Sequence, residues 1–248
     1  MTRATRIGCA GWALGRATAQ HFPDDGSHLQ RYGRVFNCVE INSSFYRPHR
    51  PATYERWAAS VPGDFRFSVK CPKLISHDLR LARASAPLDD FLGQVCGLGD
   101  KLGCLLLQLP PAFRFDRVVV QRFFALLRKR HAGSVVCEPR HPSWFSSGAA
   151  ETLDKHRIGR VLADPPVVAG AGAQPPRAGD VSYWRLHGSP RMYHSPYSDA
   201  FLCATAASMQ AARSKQAWCI FDNTASGAAV PNALRLHSLL QVDPVEAP

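Results

Sequence analysis

The side chains best suited to chemistry gather in Glu138-Pro139-Arg140-His141-Pro142-Ser143-Trp144, directly after the apolar run Val135-Val136-Cys137. A buried strand ending on a carboxylate, a guanidinium, an imidazole and an indole is costly in a core, and the two prolines stop a helix from continuing it. A closed parallel barrel tolerates such an end, because its strand C-termini open into the cup where these folds place their chemistry. Other segments repeat the design. Glu40 and Asn42 alternate with Val39 and Ile41, Ser68 and Lys70 with Phe67 and Val69, and Tyr183, Arg185 and His187 share one face of residues 181–189. Apolar runs also end on Gln108, on Asp164 and on Asp222-Asn223.

Four chemistries suit these groups. Two carboxylates facing one cavity divide acid and base roles, as in glycoside hydrolysis, which makes Glu138 and Asp164 the candidate acid and base. The same charges serve equally as ion pairs, Glu138 with Arg140 or Asp164 with Arg185, bracing a barrel mouth. His141 and His187 are candidate proton-transfer groups. They and His77 and His194 show no H-x-H or H-E-x-x-H spacing, so no metal ligand is assigned and a metal-dependent nuclease stands as an alternative. Lys70 forms a Schiff base if its neighbours depress its pKa, but stays charged if it pairs with Glu40 or Asp164. Gly188-Ser189 and Gly227 mark turns where barrel enzymes bind phosphate through loop amides, with Arg185 adding a bidentate contact. In this scheme Lys70, Arg140 and Arg185 bind substrate charge, and Asn42, Gln108 and Asn223 orient hydroxyls. Glu40 and Trp144 complete the binding set; Trp144, Tyr46 and Tyr193 offer stacking faces for sugars or bases.

Between these groups the chain alternates strand and helix signals. Helices are expected around Leu29–Phe36, from Pro51 to Ser60, from Pro87 to Leu98, from Asp199 as cap to Arg213, and a last one to Leu240. The clearest spans Asp116–Arg130, with Val120, Phe123, Phe124 and Leu127 at i, i+3, i+4 and i+7. Eight strand signals separated mostly by helices predict a parallel (β/α)8 TIM-type barrel, one domain over residues 1–248. The length of 248 residues fits that fold. An open doubly wound sheet is the alternative, but no G-x-G-x-x-G or G-K-[ST] loop marks its switch point. Ala169 to Gly179, rich in Ala, Gly and Pro, reads as a mobile surface loop.

Composition bounds the partners. A formal charge of +11 favours an anionic small-molecule ligand, with nucleic acid a second candidate. No apolar run approaches the ~20 residues of a membrane span, and Met1 to Arg6 leads straight into a strand, so no membrane partner and a cytoplasmic location are expected. The run Arg128-Lys129-Arg130 falls at a helix C-terminus, where cations complement the dipole. Eight cysteines include no C-x-x-C pair, and those in strand-like runs read as small buried hydrophobes. No cofactor is assigned.

These strand ends resemble the YecE-like family, the domain of unknown function numbered 72. The matching pieces are residues 39–46, Arg66-Phe67-Ser68-Val69-Lys70, Leu107-Gln108-Leu109-Pro110-Pro111, residues 138–144, Arg185-Leu186-His187-Gly188 and Phe221-Asp222-Asn223-Thr224. They keep their order over nearly the whole chain. The resemblance implies a TIM-type barrel and carries no established reaction. Two places depart from the family pattern: Ala10 stands where Ser is common, and Ala13 to Gln20 replace an aromatic-rich loop. The expectation is an enzyme, a hydrolase among the candidates, acting at the strand C-termini on a phosphate- or sugar-containing anion; the alternatives are a metal-dependent nuclease or phosphodiesterase-like barrel and a non-catalytic nucleic-acid or metabolite-binding protein.

Overall fold

The computed structural model describes residues 3–170 and 181–241; the expected loop from Ala169 to Gly179 lies almost wholly outside them. Strands and helices alternate: β1 Ala4–Cys9, α1 His28–Gly33, β2 Cys38–Ile41, α2 Pro51–Ala59, β3 Arg66–Lys70, α3 Ser85–Val95 and β4 Leu102–Gln108. There follow α4 Arg117–Arg130, β5 Val135–Glu138, α5 Ser147–Lys155, β6 Gly159–Arg160, β7 Leu162–Asp164, β8 Val181–Leu186, α6 Asp199–Ala211, β9 Gln216–Phe221 and α7 Ala229–Gln241. Local chemistry sets several boundaries. Pro51 occupies the first turn of α2, where its missing N–H is harmless. Asp116 caps α4, its carboxylate accepting from the amides of Val118 and Val119. Ser198, not Asp199, caps α6, while Asp199 sits in the first turn and binds Arg235. The helix α5 was not anticipated; its first residues, Ser147 and Gly148, are weak helix formers, and the cap Ser146 starts it.

Every strand pair is parallel, but the strands form two sheets, β1-β9-β8-β7 and β2-β3-β4-β5-β6, where a single eight-stranded sheet was expected. The ladder breaks at two places. Around Val161 one extended segment changes partner: Gly159 and Arg160 pair with β5, and Leu162 to Asp164 pair with β8. Between β1 and β2, side chains replace backbone. The Asn37 amide accepts from the Ile7 N–H (3.1 Å) and donates to the Thr5 carbonyl (2.8 Å). The Tyr32 hydroxyl accepts from the Cys9 N–H (2.8 Å) and donates to the Cys38 carbonyl (3.1 Å). Beyond them the chains meet again, with Ala10 bridging Glu40. Gly8 allows this approach: a β-carbon there would lie 2.1 Å from the Cys38 carbonyl oxygen.

Strand alternation sorts the core into two layers. Val39, Val69, Leu105, Cys137, Trp184 and Phe221 turn outward to a large cluster shared with the helices. Cys38, Leu106, Val136, Val161, Tyr183, Trp218 and Ile220, drawn from both sheets, form a smaller inner cluster. Above that inner cluster, toward the strand C-termini, the inward positions become polar: Glu40, Ser68, Lys70, Glu138, Arg185 and His187 are all buried. Of the eight cysteines, Cys9, Cys38, Cys71, Cys104, Cys137 and Cys219 are buried and Cys96 and Cys203 exposed. Among the described residues, no helix is long and apolar enough to cross a membrane.

Candidate active site at the strand ends

The polar layer is organised around Arg185, which has no solvent exposure. From β8 its Nε and Nη2 grip Glu40 of β2 at 2.9 and 2.6 Å, a two-pronged contact that a planar guanidinium makes and an ammonium does not. Its Nη1 donates to Glu138 of β5 at 3.0 Å, and its Nη2 lies 3.1 Å from Asp222, just beyond β9. One cation therefore ties together three carboxylates, carried by β2, by β5 and by the residue after β9, and so joins both sheets. Tyr183, two residues earlier on the same face, donates to Glu40 (3.0 Å) or Ser68 (2.9 Å) and extends the network downward.

His187 stands on the upper side of Arg185. Its Nε2 faces Glu138 Oε1 at 3.0 Å and its Nδ1 faces Asp222 Oδ2 at 2.9 Å. Arg140 reaches the same Glu138 oxygen and also touches the His187 ring. Gln108 adds a long contact to that oxygen at 3.5 Å. Burial alone would raise the Glu138 carboxyl, but Arg185, His187 and Arg140 overcome it and hold the group well below the usual carboxylate range. Asp222 is lowered as well: burial opposes, and Arg185 with the His187 hydrogen bond prevails.

Lys70 is different. It ends β3 at 6% exposure, its Nζ 4.2 Å from the centre of the Phe45 ring. No carboxylate comes within ion-pair distance of it among the described residues, since Glu40, Glu138 and Asp222 are all engaged by Arg185. Burial, then repulsion by Arg185, pushes its pKa below the ordinary lysine value; Glu40, Asp222 and Glu138 counteract this only in part. Asn42 follows β2 with its Oδ1 buried and unpartnered. Tyr193 packs edge-on to His187, ring centres 5.8 Å apart, and is 43% exposed, so the layer borders solvent there.

The profile for the protein of unknown function DUF72 matches residues 6–248. The chain belongs to the DUF72 family. It is 32% identical over 142 residues to the UPF0759 protein YecE of Escherichia coli K12, covering 55% of this chain and 52% of that protein. To the UPF0759 protein YunF of Bacillus subtilis it is 31% identical over 156 residues, 56% of this chain and 52% of the relative. It thus spans about half the length of the curated relatives it matches. The fold is similar to the crystal structure of a DUF72 family protein from Thermotoga maritima, with a TM-score of 0.81 and 25% identity over 96% of this chain and 100% of that one.

Within this DUF72 chain the predicted residues divide into three groups. Glu40, Lys70, Glu138, Arg140, Arg185 and His187 meet in one layer, with Gln108 at its edge. Others face elsewhere. Asp164 shares its strand face with Leu162 and turns outward, where Tyr197 donates to it at 2.9 Å; it makes no ion pair with Arg185, and the pairing of Glu138 and Asp164 across one cavity does not occur. Asn223 also points away from the layer, its Nδ2 donating to the Ser195 carbonyl and to Asn232 at 3.0 Å each. His141 caps the turn Pro142–Phe145 through the Ser143 amide, and Trp144 is buried against Phe113 and Phe115 with its indole N–H on the Phe113 carbonyl.

The third group is the expected phosphate loop, whose amides are already used. Gly188 donates to the Tyr197 hydroxyl (2.8 Å), Gly227 to the Thr224 carbonyl (3.1 Å), and Ala225 to the Tyr193 carbonyl (3.1 Å). Ser189 is exposed beside them. Arg185, buried and saturated by carboxylates, has no free edge to offer a phosphate. Arg185, His187 and Arg140 hold the Glu138 carboxyl low, which suits it to the base of the expected pair more than to the acid. Asp222 is the site residue the sequence reading passed over. Among the described residues, no group of three or more His, Cys, Asp and Glu is arranged to hold a metal ion.

Proposed function

We propose that the polar layer is the active site of an enzyme that binds a small anionic molecule at the strand C-termini, and that the two sheets act as one closed (β/α)8 barrel around it. The barrel reading rests on the shared segment at Val161, the Ala10–Glu40 bridge and the inner cluster drawn from both sheets. The anion reading rests on one observation: Lys70 is a buried cation with no carboxylate in ion-pair distance among the described residues. Burying an uncompensated charge is unfavourable, and an anionic ligand supplies the missing charge. Arg140, 11% exposed in its side chain, is the second cation at the same edge. Asn42 Oδ1 supplies an unsatisfied acceptor for a ligand hydroxyl or N–H. His187, positioned by Glu138 and Asp222, is the group placed to move a proton.

The anion, not a sugar ring or a polynucleotide, is the element this geometry supports, because the exposed tyrosines alone do not choose between them. Thermal unfolding against phosphates, carboxylates, sugar phosphates, nucleotides and neutral sugars tests it. A ligand at about 100 times its dissociation constant adds about 2.7 kcal/mol of stability. Anions of one class should raise the midpoint of the wild type and leave Lys70→Met unshifted. Stabilisation by neutral sugars alone would overturn the reading.

A further inference from the structure

The reading above leaves open what Lys70 does once a ligand has arrived, and the next step rests on that reading. We propose that Lys70 is the nucleophile of the site, its amine forming an imine with the carbonyl carbon of a small oxo anion, the class of ligand assigned to it above.

Residue type is the first argument. Only six of the 30 basic residues are lysine, and Lys70 alone among them is buried. The cations that make ion pairs in this layer are Arg185, Arg140 and His187; the lysine makes none. For holding an anion, arginine is the better fork, whereas a lysine can shed its proton and become a nucleophile. Position is the second argument. Nζ lies over the Phe45 ring at the C-terminal end of β3, and the charged groups facing it come from four other elements. These are Arg185 from β8, Glu40 from β2, Glu138 from β5 and Asp222 after β9, with His77 from the turn that follows β3. Each of the three carboxylates is already bound by Arg185, so none fixes the ammonium. The direction of the lysine shift, downward through burial and Arg185, agrees with both arguments.

The chemistry balances without a further reactant. The amine lone pair adds to the carbonyl carbon, forming a C–N bond and a carbinolamine. The C–O bond then breaks, and the oxygen leaves as water with the two hydrogens of the amine, giving C=N. Such an imine withdraws electrons from the adjacent carbon and so makes its C–H bonds more acidic.

Reductive trapping tests this on the full chain. The protein is incubated with pyruvate, glyoxylate, 2-oxoglutarate or glyceraldehyde 3-phosphate, then treated with sodium borohydride, and the adducts are mapped by peptide mass. Because a depressed pKa raises the free-amine fraction, adduct on Lys70 should exceed that on each of the other five lysines. It should saturate with concentration, fall when lactate or inorganic phosphate competes, and vanish in Lys70→Arg. Mapping the wild type needs no variant to fold. Absence of adduct at Lys70, in protein that lactate or phosphate still stabilises thermally, would overturn the imine and leave the anion site standing. Absence of both adduct and anion stabilisation would overturn the two together.

Discussion

Replacing Arg185 with methionine removes the one cation shared by Glu40, Glu138 and Asp222 while keeping much of the side-chain bulk. All three contacts are short, 2.6 to 3.1 Å, and the guanidinium, Glu40 and Glu138 are fully buried. Stranding a buried charge by deleting its partner costs about 3–5 kcal/mol; Glu40 loses its one cation, while Glu138 keeps Arg140 and His187 and Asp222 keeps His187, so about 5 kcal/mol is the ceiling. For a chain of this size about 5 kcal/mol lowers the thermal midpoint by roughly 10–20 °C. The dependence on pH carries a sign. In the wild type, Glu138 and Asp222 sit below their ordinary values despite burial, so the folded protein binds fewer protons than the unfolded chain near about pH 4. That contribution is present above this range and is lost as the pH falls through it toward the lower folded values. Without Arg185 less opposes the effect of burial on Glu138 and Asp222, so their folded forms hold protons more readily than in the wild type and the variant loses less stability than the wild type on acidification. Urea unfolding at pH 7, 6 and 5 reads both effects. A variant within about 1 kcal/mol of wild type at pH 7, or one whose deficit relative to wild type does not narrow on acidification, would refute the account of this network.

Gly8→Ala drives a methyl group into the Cys38 carbonyl and the Tyr32 hydroxyl at the β1–β2 seam, and should cost about 1–3 kcal/mol in urea unfolding; a change below about 0.5 would show that the seam yields freely. Thiol labelling of the native protein at pH 8 should modify two of the eight cysteines quickly, Cys96 and Cys203, because the other six are buried and burial pushes Cys9 and Cys71 up to about 12. Rapid labelling of four or more would contradict the packing of the inner and outer cores. Asp164→Asn should leave any anion-induced rise in the unfolding midpoint intact, since Asp164 faces Tyr197 outside the layer; loss of that rise would return Asp164 to the site.

How much of this was legible follows strand by strand from alternation. Tyr183, Arg185 and His187 on β8, and Ser68 and Lys70 on β3, interleave with apolar residues, so period 2 assigned their common face correctly. Arg160-Val161-Leu162-Ala163-Asp164 offers no such contrast, and the segment changes sheets at Val161; nothing in its pattern says that Val161 and Ala163 face inward and Asp164 outward. The run from Ala217 to Phe221 is apolar on both faces, which hid Asp222 and promoted its neighbour Asn223. Only the register, Arg185 beside Ile220 and Leu186 beside Phe221, brings Asp222 next to His187. The glycines at 188 and 227 were recognised as turns, but whether a turn amide is free depends on a distant partner such as Tyr197, and local sequence carries no record of that. Likewise the side-chain seam made by Asn37 and Tyr32 has no signature in strand propensity, so one continuous sheet was expected where two occur.

The central claim is that the buried, unpaired ammonium of Lys70 receives an anion. The most direct measurement is the dissociation constant of the best-stabilising anion, determined calorimetrically for wild type, Lys70→Met and Lys73→Met. Lys73 is a nearby exposed lysine paired with Asp78 and serves as the control for net charge. Loss of at least about tenfold in affinity, about 1.4 kcal/mol, at Lys70 with little change at Lys73 is the predicted result. Equal affinity in all three proteins, or equal loss in both variants, would contradict it.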